Sequence, residues 1–154
     1  MDWIERTFDY PMIRRMATHP MLYEASRDDF TPPASEYSPV ENDAIIYLAA
    51  NVNDIPQGIL MMIPFSPILY DVHISFLPEM WGEKSIQAAR AAFQWMWDNT
   101  PCVRIQAQIP EDNTHALQLA LNSGMIAFGK NDKCYLKQGM LRDMILLGIS
   151  KGGN

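Results

Sequence analysis

The segment Leu77–Trp97, "LPEMWGEKSIQAARAAFQWMW", ends a strand-like run and opens a helix within a few residues. Pro78 stops the strand, because proline has no N–H to give to a ladder. Trp81-Gly82 turns the chain. Ile86, Ala89, Phe93 and Met96/Trp97 then recur at spacings of three and four, with Arg90, Gln94 and Asp98 on the other face, which predicts an amphipathic helix. Strand, glycine turn and helix start together form a place where many folds hold phosphate, since free N–H groups converge there. This turn has one glycine where phosphate loops usually have two or three. A cofactor site and an ordinary connection are both open on these residues.

Upstream, "ILYDVHISFL" (Ile68–Leu77), "GILMMIPF" (Gly58–Phe65) and "AIIYLAA" (Ala44–Ala50) read as strands, joined at Ser66-Pro67 and through "NVNDIPQ". They predict an antiparallel meander. Before it, "PMIRRMATHPMLYEAS" predicts one or two short helices broken at Pro20, and Asp28–Pro39, rich in proline, predicts a long loop. Downstream, "VRIQAQI" alternates strictly: Val103, Ile105, Ala107 and Ile109 on one face, Arg104, Gln106 and Gln108 on the other. Pro110-Glu111-Asp112 is expected to start a second helix with Ala116, Leu117, Ala120 and Leu121 periodic, stopped at Gly124. The tail predicts two strands, Ile126–Lys137 and Leu141–Ile149, turning at Gln138-Gly139, and a frayed "SKGGN" end. Strand, helix, strand in the middle demands a crossover and so a parallel pair. The expected fold is α/β, a single domain over residues 1–154 with a mixed, mostly antiparallel sheet flanked by helices.

Composition narrows the function classes. Among 154 residues, 48% are hydrophobic and 19% charged, which is globular usage, and the net charge of -6 offers no basic footprint for nucleic acid. The longest apolar runs fall far short of the ~20 residues that span a bilayer. The N-terminus has neither a basic n-region nor an apolar h-region, so no secretory signal is expected. Cys102 and Cys134 lack C-x-x-C spacing, which predicts free thiols in a reducing cytoplasm. No His/Cys/carboxylate cluster has metal-ligand spacing, and neither a P-loop nor a G-x-S-x-G or G-x-G-x-x-G motif occurs.

The element order resembles the GNAT superfamily of acyl-CoA N-acyltransferases over nearly the whole chain. "RIQAQIPEDNTHALQLALNSGM" is similar to the family's strand, Asn, helix and closing glycine, with Asn113, Ala116 and Gly124 at matching positions. "FGKNDKCYLKQGMLRDMILLGISK" resembles the tail of the ribosomal-protein N-terminal acetyltransferase branch through Gly129, Gly139 and Asp143, and "YDVHISFLPEMWG" resembles that branch's fourth strand. Short acetyltransferase-like proteins of phages and prophages are similar too.

The resemblance implies acetyl-CoA as co-substrate, with its pyrophosphate wrapped by the turn after the fourth strand. The family's Q/R-x-x-G-x-G/A falls on Trp81, Gly82, Glu83, Lys84, Ser85 and Ile86, so bulkier residues stand at the small positions 84 and 86. It implies backbone contacts to pantetheine and to the oxyanion around Ile74 and Phe76, with Asn113 near the cofactor. The branch's fourth-strand Glu corresponds to Asp71, and His73 shares its strand face. The pair makes a candidate proton relay; a solvated Asp and a structural His are the alternative. The family's leaving-thiolate Tyr falls on Ala120, and the branch's Ser on Ala116. Two functions follow. One is an acetyl-CoA-dependent N-acetyltransferase acting on an amine of a small molecule or protein. The other is a catalytically impaired member serving as a binding or phage assembly factor, with a protein partner or homodimer. Neither nucleic acid nor membrane is an expected partner, and the expected location is the cytoplasm, that of the host for a phage protein.

Overall fold

The computed structural model describes residues 3–153. Among the described residues seven strands form one sheet in the order β1-β2-β3-β4-β5-β7-β6. They are β1 (Ile4–Arg6), β2 (Ile46–Val52), β3 (Ile55–Ser66), β4 (Leu69–Phe76), β5 (Arg104–Pro110), β6 (Ile126–Lys137) and β7 (Met140–Ser150). Every pairing is antiparallel except β4 with β5. The helices are α1 (Tyr10–Ala17), α2 (Pro20–Ser26), α3 (Glu83–Asn99) and α4 (Thr114–Asn122), with 3-10 turns at Ala34–Glu36 and Pro78–Met80. None of the described helices is long and apolar enough to cross a membrane.

Local chemistry sets most boundaries. Asp9 caps α1 by accepting the Met12 N–H at 3.1 Å, and Pro11 sits in its first turn. The two-residue turn Asn53-Asp54 joins β2 to β3 and Gln138-Gly139 joins β6 to β7; all four have positive φ, which matches the twist of paired strands. Gly124, at φ 103°, ends α4, and the Met125 N–H returns to the Ala120 carbonyl at 3.1 Å.

The sheet buries both faces over its first half. Against one face, α3 packs Ala88, Ala89, Ala92, Phe93 and Met96 onto Leu48, Leu60, Met62 and Ile105. The alanine stripe lets the helix lie close. Against the other face, α1 packs Met12, Ile13 and Met16 onto Tyr47, Ala49 and Ile59.

Several expectations change. The first element among the described residues is β1, not a helix: three residues are too few for alternation to show, and the strand exists through pairing Ile4–Ala50 to Arg6–Leu48. Strands β2 and β3 extend to within two residues of each other, absorbing most of "NVNDIPQ". Strand β5 runs through Pro110, so α4 starts at Thr114 with Asn113 as its cap, later than expected. Val103 precedes β5 and is exposed, and Leu121 faces solvent while Ala120 takes the buried position. In α3 the buried stripe starts at Ser85, leaving Ile86 half-buried.

Candidate active site

The parallel pair between β4 and β5 is short. It joins Leu69–Arg104, Tyr70–Ile105 and Asp71–Gln106, and then the strands part. Strand β4 stays with β3 as far as Phe76, while β5 stays with β7 as far as Pro110. The sheet therefore opens into a gap whose β4 side, Val72 to Phe76, runs about 13 Å at the usual strand rise.

Two hydrogen bonds fix which backbone groups face this gap. The Ile68 carbonyl accepts from Val103, just before β5, and from Arg104, its first residue, at 2.9 and 3.1 Å, and the Leu77 N–H donates to Gln57 on β3 at 3.0 Å. Successive backbone groups of a strand point opposite ways. The even-numbered residues of β4 thus present N–H and C=O toward β5, and beyond the split these belong to Ile74 and Phe76. Their orientation is independent of side-chain identity.

The closed end of the gap holds Asp71. Its carboxylate is half-buried, and Oδ1 lies buried with no hydrogen-bond partner. Desolvation pushes its pKa above the ordinary carboxylate range, against the opposing influence of the nearby Gln106 amide and of His73. His73 follows on the same strand face; its register partner on β3 is Met61, and that of Asp71 is Ile63. His73 is exposed at the surface, yet the protein around it partly desolvates the ring and lowers its pKa, with Asp71 pulling the other way. An Asp of raised basicity thus lies near a His biased to the neutral state. Both are on the face opposite α3, the face that α1 covers only over the first half of the sheet.

At the open end, Phe76 leads into the Pro78–Met80 turn, Trp81 and α3. Gly82, at φ 98°, caps α3 with no side-chain hydrogen bond, and beyond its own chain neighbours nothing lies within 4 Å of where a Cβ would stand. The helix start therefore keeps N–H groups free of any side-chain cap, in an uncrowded turn. Glu83 and Lys84 are exposed. Lys84 lines a cleft of about 220 Å³ with Asn53, Ile55, Gln57 and Glu79, toward the β2–β3 hairpin. Ser85 is buried, and its hydroxyl donates to the Gly82 carbonyl at 2.6 Å.

On the β5 arm, Asn113 accepts the Ala116 N–H at 3.2 Å, capping α4. His115, on the first turn of that helix, packs against the indole of Trp81 with ring centroids 4.3 Å apart and a 48° tilt. The Trp81 Nε1–H donates to the Phe76 carbonyl at 3.0 Å. His115 is exposed, and its one signal in the sequence is its place two residues after Asn113.

The two α4 positions where the resemblance puts a Ser and a Tyr carry alanines. Ala116 is half-buried and Ala120 buried. The Ser123 hydroxyl donates to Leu119 at 2.7 Å. Tyr135 donates to Asp112 at 2.8 Å, and Arg142 pairs with the same carboxylate. Desolvation, followed by this hydrogen bond, pushes Tyr135 up to about 12. Asp143 is structural: its carboxylate accepts the N–H of Lys133, which has positive φ at the β6 irregularity, and pairs with Lys130 at 3.0 Å.

The proline-rich loop is tied down. Arg14 donates to the carbonyls of Tyr37, Ala34 and Ser35, and the Tyr23 hydroxyl donates to Pro32 at 2.6 Å. Asp29 accepts the N–H groups of Gln138 and Gly139 at 2.7 and 2.8 Å, clipping the loop to the β6–β7 turn. Beside this clip lies a cleft of about 330 Å³ lined by Glu24, Arg27, Asp28, Asp29, Lys137 and Gln138.

The sequence matches no protein-family model and no curated protein. Solved structures do match. A spermidine N-acetyltransferase from Vibrio cholerae in complex with CoA and spermine superposes with a TM-score of 0.77 at 12% identity, over 99% of this chain and 98% of that one. A GNAT-family acetyltransferase from Streptococcus pneumoniae gives 0.70 at 17% identity, over 96% and 99%. A ribosomal-protein-alanine N-acetyltransferase from Brucella melitensis gives 0.68 at 15% identity, over 96% and 99%. With the sheet split between β4 and β5, these likenesses make the chain's fold that of the GNAT acetyltransferases.

Proposed function

We propose that the protein is an acetyl-CoA-dependent N-acetyltransferase acting on an amine of a small molecule or a protein. The observation that carries this reading is the gap opened after Asp71–Gln106, toward which Ile74 and Phe76 aim their backbone groups. A chain-like pantetheine fits such a slot by completing the missing ladder, and no particular side chain is needed. The uncapped start of α3 at Gly82 provides N–H groups and a positive helix end for the pyrophosphate. Glu83 and Lys84 contribute through that backbone rather than their side chains, while the Ser85 and Ile86 N–H groups already donate to the Gly82 carbonyl at 3.2 and 3.4 Å; Trp81 flanks the turn, and Asn113 fixes the opposing helix start.

The co-substrate supplies an activated acetyl group at its thioester. Asp71 takes the proton of the attacking ammonium or amine, directly or through His73. Its desolvation makes it a stronger base than a surface carboxylate, and the lowered pKa of His73 leaves the ring free to accept a proton near neutrality. A backbone N–H at the gap stabilises the charge that develops on the carbonyl oxygen. The departing thiolate takes its proton from water, because Ala120 and Ala116 stand where the resemblance puts the Tyr and the Ser. A thiol of pKa ~8.5 is a tolerable leaving group without an acid. A binding or assembly role was suggested by the substituted turn, and the open backbone around Gly82 meets part of that objection. The exposed Cys134 and buried Cys102 are both free thiols, which suits a cytoplasmic setting.

The test is release of free CoA thiol from acetyl-CoA with a panel of polyamines and N-terminal peptides. Amine-dependent release lost in Asp71→Asn supports the proposal. Absence of release with every amine, together with no calorimetric heat on adding CoA, refutes it.

A further inference from the structure

We propose that Trp81 and His115 form a latch across the open end of the β4–β5 gap, and that the coenzyme enters only when the two rings part. This rests on the acyltransferase reading above. The two arms of the gap diverge from Asp71–Gln106; one leads through Phe76 to Trp81, the other through Pro110 to α4 and His115. The ring contact at 4.3 Å therefore joins opposite sides of the opening at its far end. The same indole donates its N–H to the Phe76 carbonyl, one of the backbone acceptors aimed into the gap. A closed latch thus covers the entrance and also fills a position that an entering amide group needs.

The two sides differ in freedom. His115 is held on the first turn of a helix capped by Asn113. Trp81 sits in the turn between the Pro78–Met80 segment and Gly82, outside any helix or strand. Trp81 is 37% exposed and His115 is exposed, so parting them uncovers little new apolar surface. An aromatic pair and one hydrogen bond together favour the closed form roughly thirtyfold. Apparent affinity for the coenzyme falls by the fraction that is open.

The experiment is CoA binding to the full chain by calorimetry and stopped-flow tryptophan fluorescence, comparing wild type with His115→Ala, His115→Gln and Trp81→Ala. The latch predicts that the wild-type association rate reaches a plateau with rising CoA, set by opening. Both His115 variants raise the plateau and tighten binding about three- to tenfold. Binding by the variants with none by wild type also supports the latch. Equal rates and affinities for wild type and both His115 variants overturn it while leaving the coenzyme reading intact. No binding to any of the four proteins overturns both, since Trp81→Ala leaves no closed latch to explain the silence.

Discussion

Replacing Gly58 by Ala tests whether the β3–β4 junction beneath the gap is as tight as it appears. Gly58 pairs with Phe76 across the ladder, and a Cβ there would lie 2.4 Å from Phe76 Cδ1 and 3.2 Å from Phe76 Cα. Its φ is ordinary for an L-residue, so backbone strain does not enter. In unstrained positions Gly→Ala stabilises by about 0.4–1 kcal/mol through the unfolded chain. Overpacking a close-packed core costs about 1–3 kcal/mol. Phe76 is 3% exposed and packs with the main core cluster, so its ring has little room to yield, and the contact with its own Cα cannot be relieved by rotation. The clash wins, for a net loss of about 1–2 kcal/mol, or about 2–8 °C in Tm at this chain length. Urea unfolding of Gly58→Ala, Phe76→Leu and the double variant is the assay. The leucine change should cost less in the alanine background than alone, a favourable coupling of about 0.5–1.5 kcal/mol. A Gly58→Ala midpoint equal to or above wild type, with no coupling, refutes the packing argument.

Asn113→Ala removes the α4 cap and should cost about 1 kcal/mol, read as a fall of about 2–4 °C in Tm. Asp71→Asn should lower kcat for acetyl transfer about 10²–10⁴-fold. It should also stabilise the fold at neutral pH: folding raises the Asp71 pKa, so the folded state binds more protons, and stability falls as pH rises through that range. The gain should vanish at pH below the ordinary carboxylate range, where both states are protonated; thermal melts at the two pH values decide this. Tyr135 keeps its proton up to about 12, so the unfolded chain ionises first as pH rises past 10 and stability falls there. Tyr135→Phe should lose about 0.5–1.5 kcal/mol at neutral pH and show a shallower alkaline decline, measured by urea midpoints across pH.

Much of this architecture is legible along the chain. Alternation marks β5 through Ile105 and Ala107, three-and-four spacing marks α3 through Ala89 and Phe93, and Gln138-Gly139 and Gly124 mark a turn and a helix stop. The misreadings share one cause. Strand β1 is three residues held by a distant partner, and the delayed start of α4 depends on β5 continuing along β7 as far as Pro110. Neither leaves a local pattern.

The candidate site divides the same way. The sequence offered Asp71, His73, Gly82 and Asn113 as candidates by position; in the structure Asp71 stands at the last pair of the β4–β5 ladder, Gly82 caps α3 and Asn113 caps α4. Asn113 proves to be a helix cap, and Ser85 turns its hydroxyl inward. His115 was passed over because ring contacts between residues 34 apart in sequence, 81 and 115, have no periodicity to read.

By itself the sequence determined the elements, their order and the glycine turn before α3, because hydrophobic period, caps and positive-φ turns act over a few residues. Only the tertiary structure decided where β4 leaves β5, which backbone groups face the gap, how far Asp71 is desolvated and what closes the entrance. Those depend on β4 following β3 while β5 follows β7. That choice is made by long-range pairing and by packing on both faces of the sheet, and no short segment encodes it.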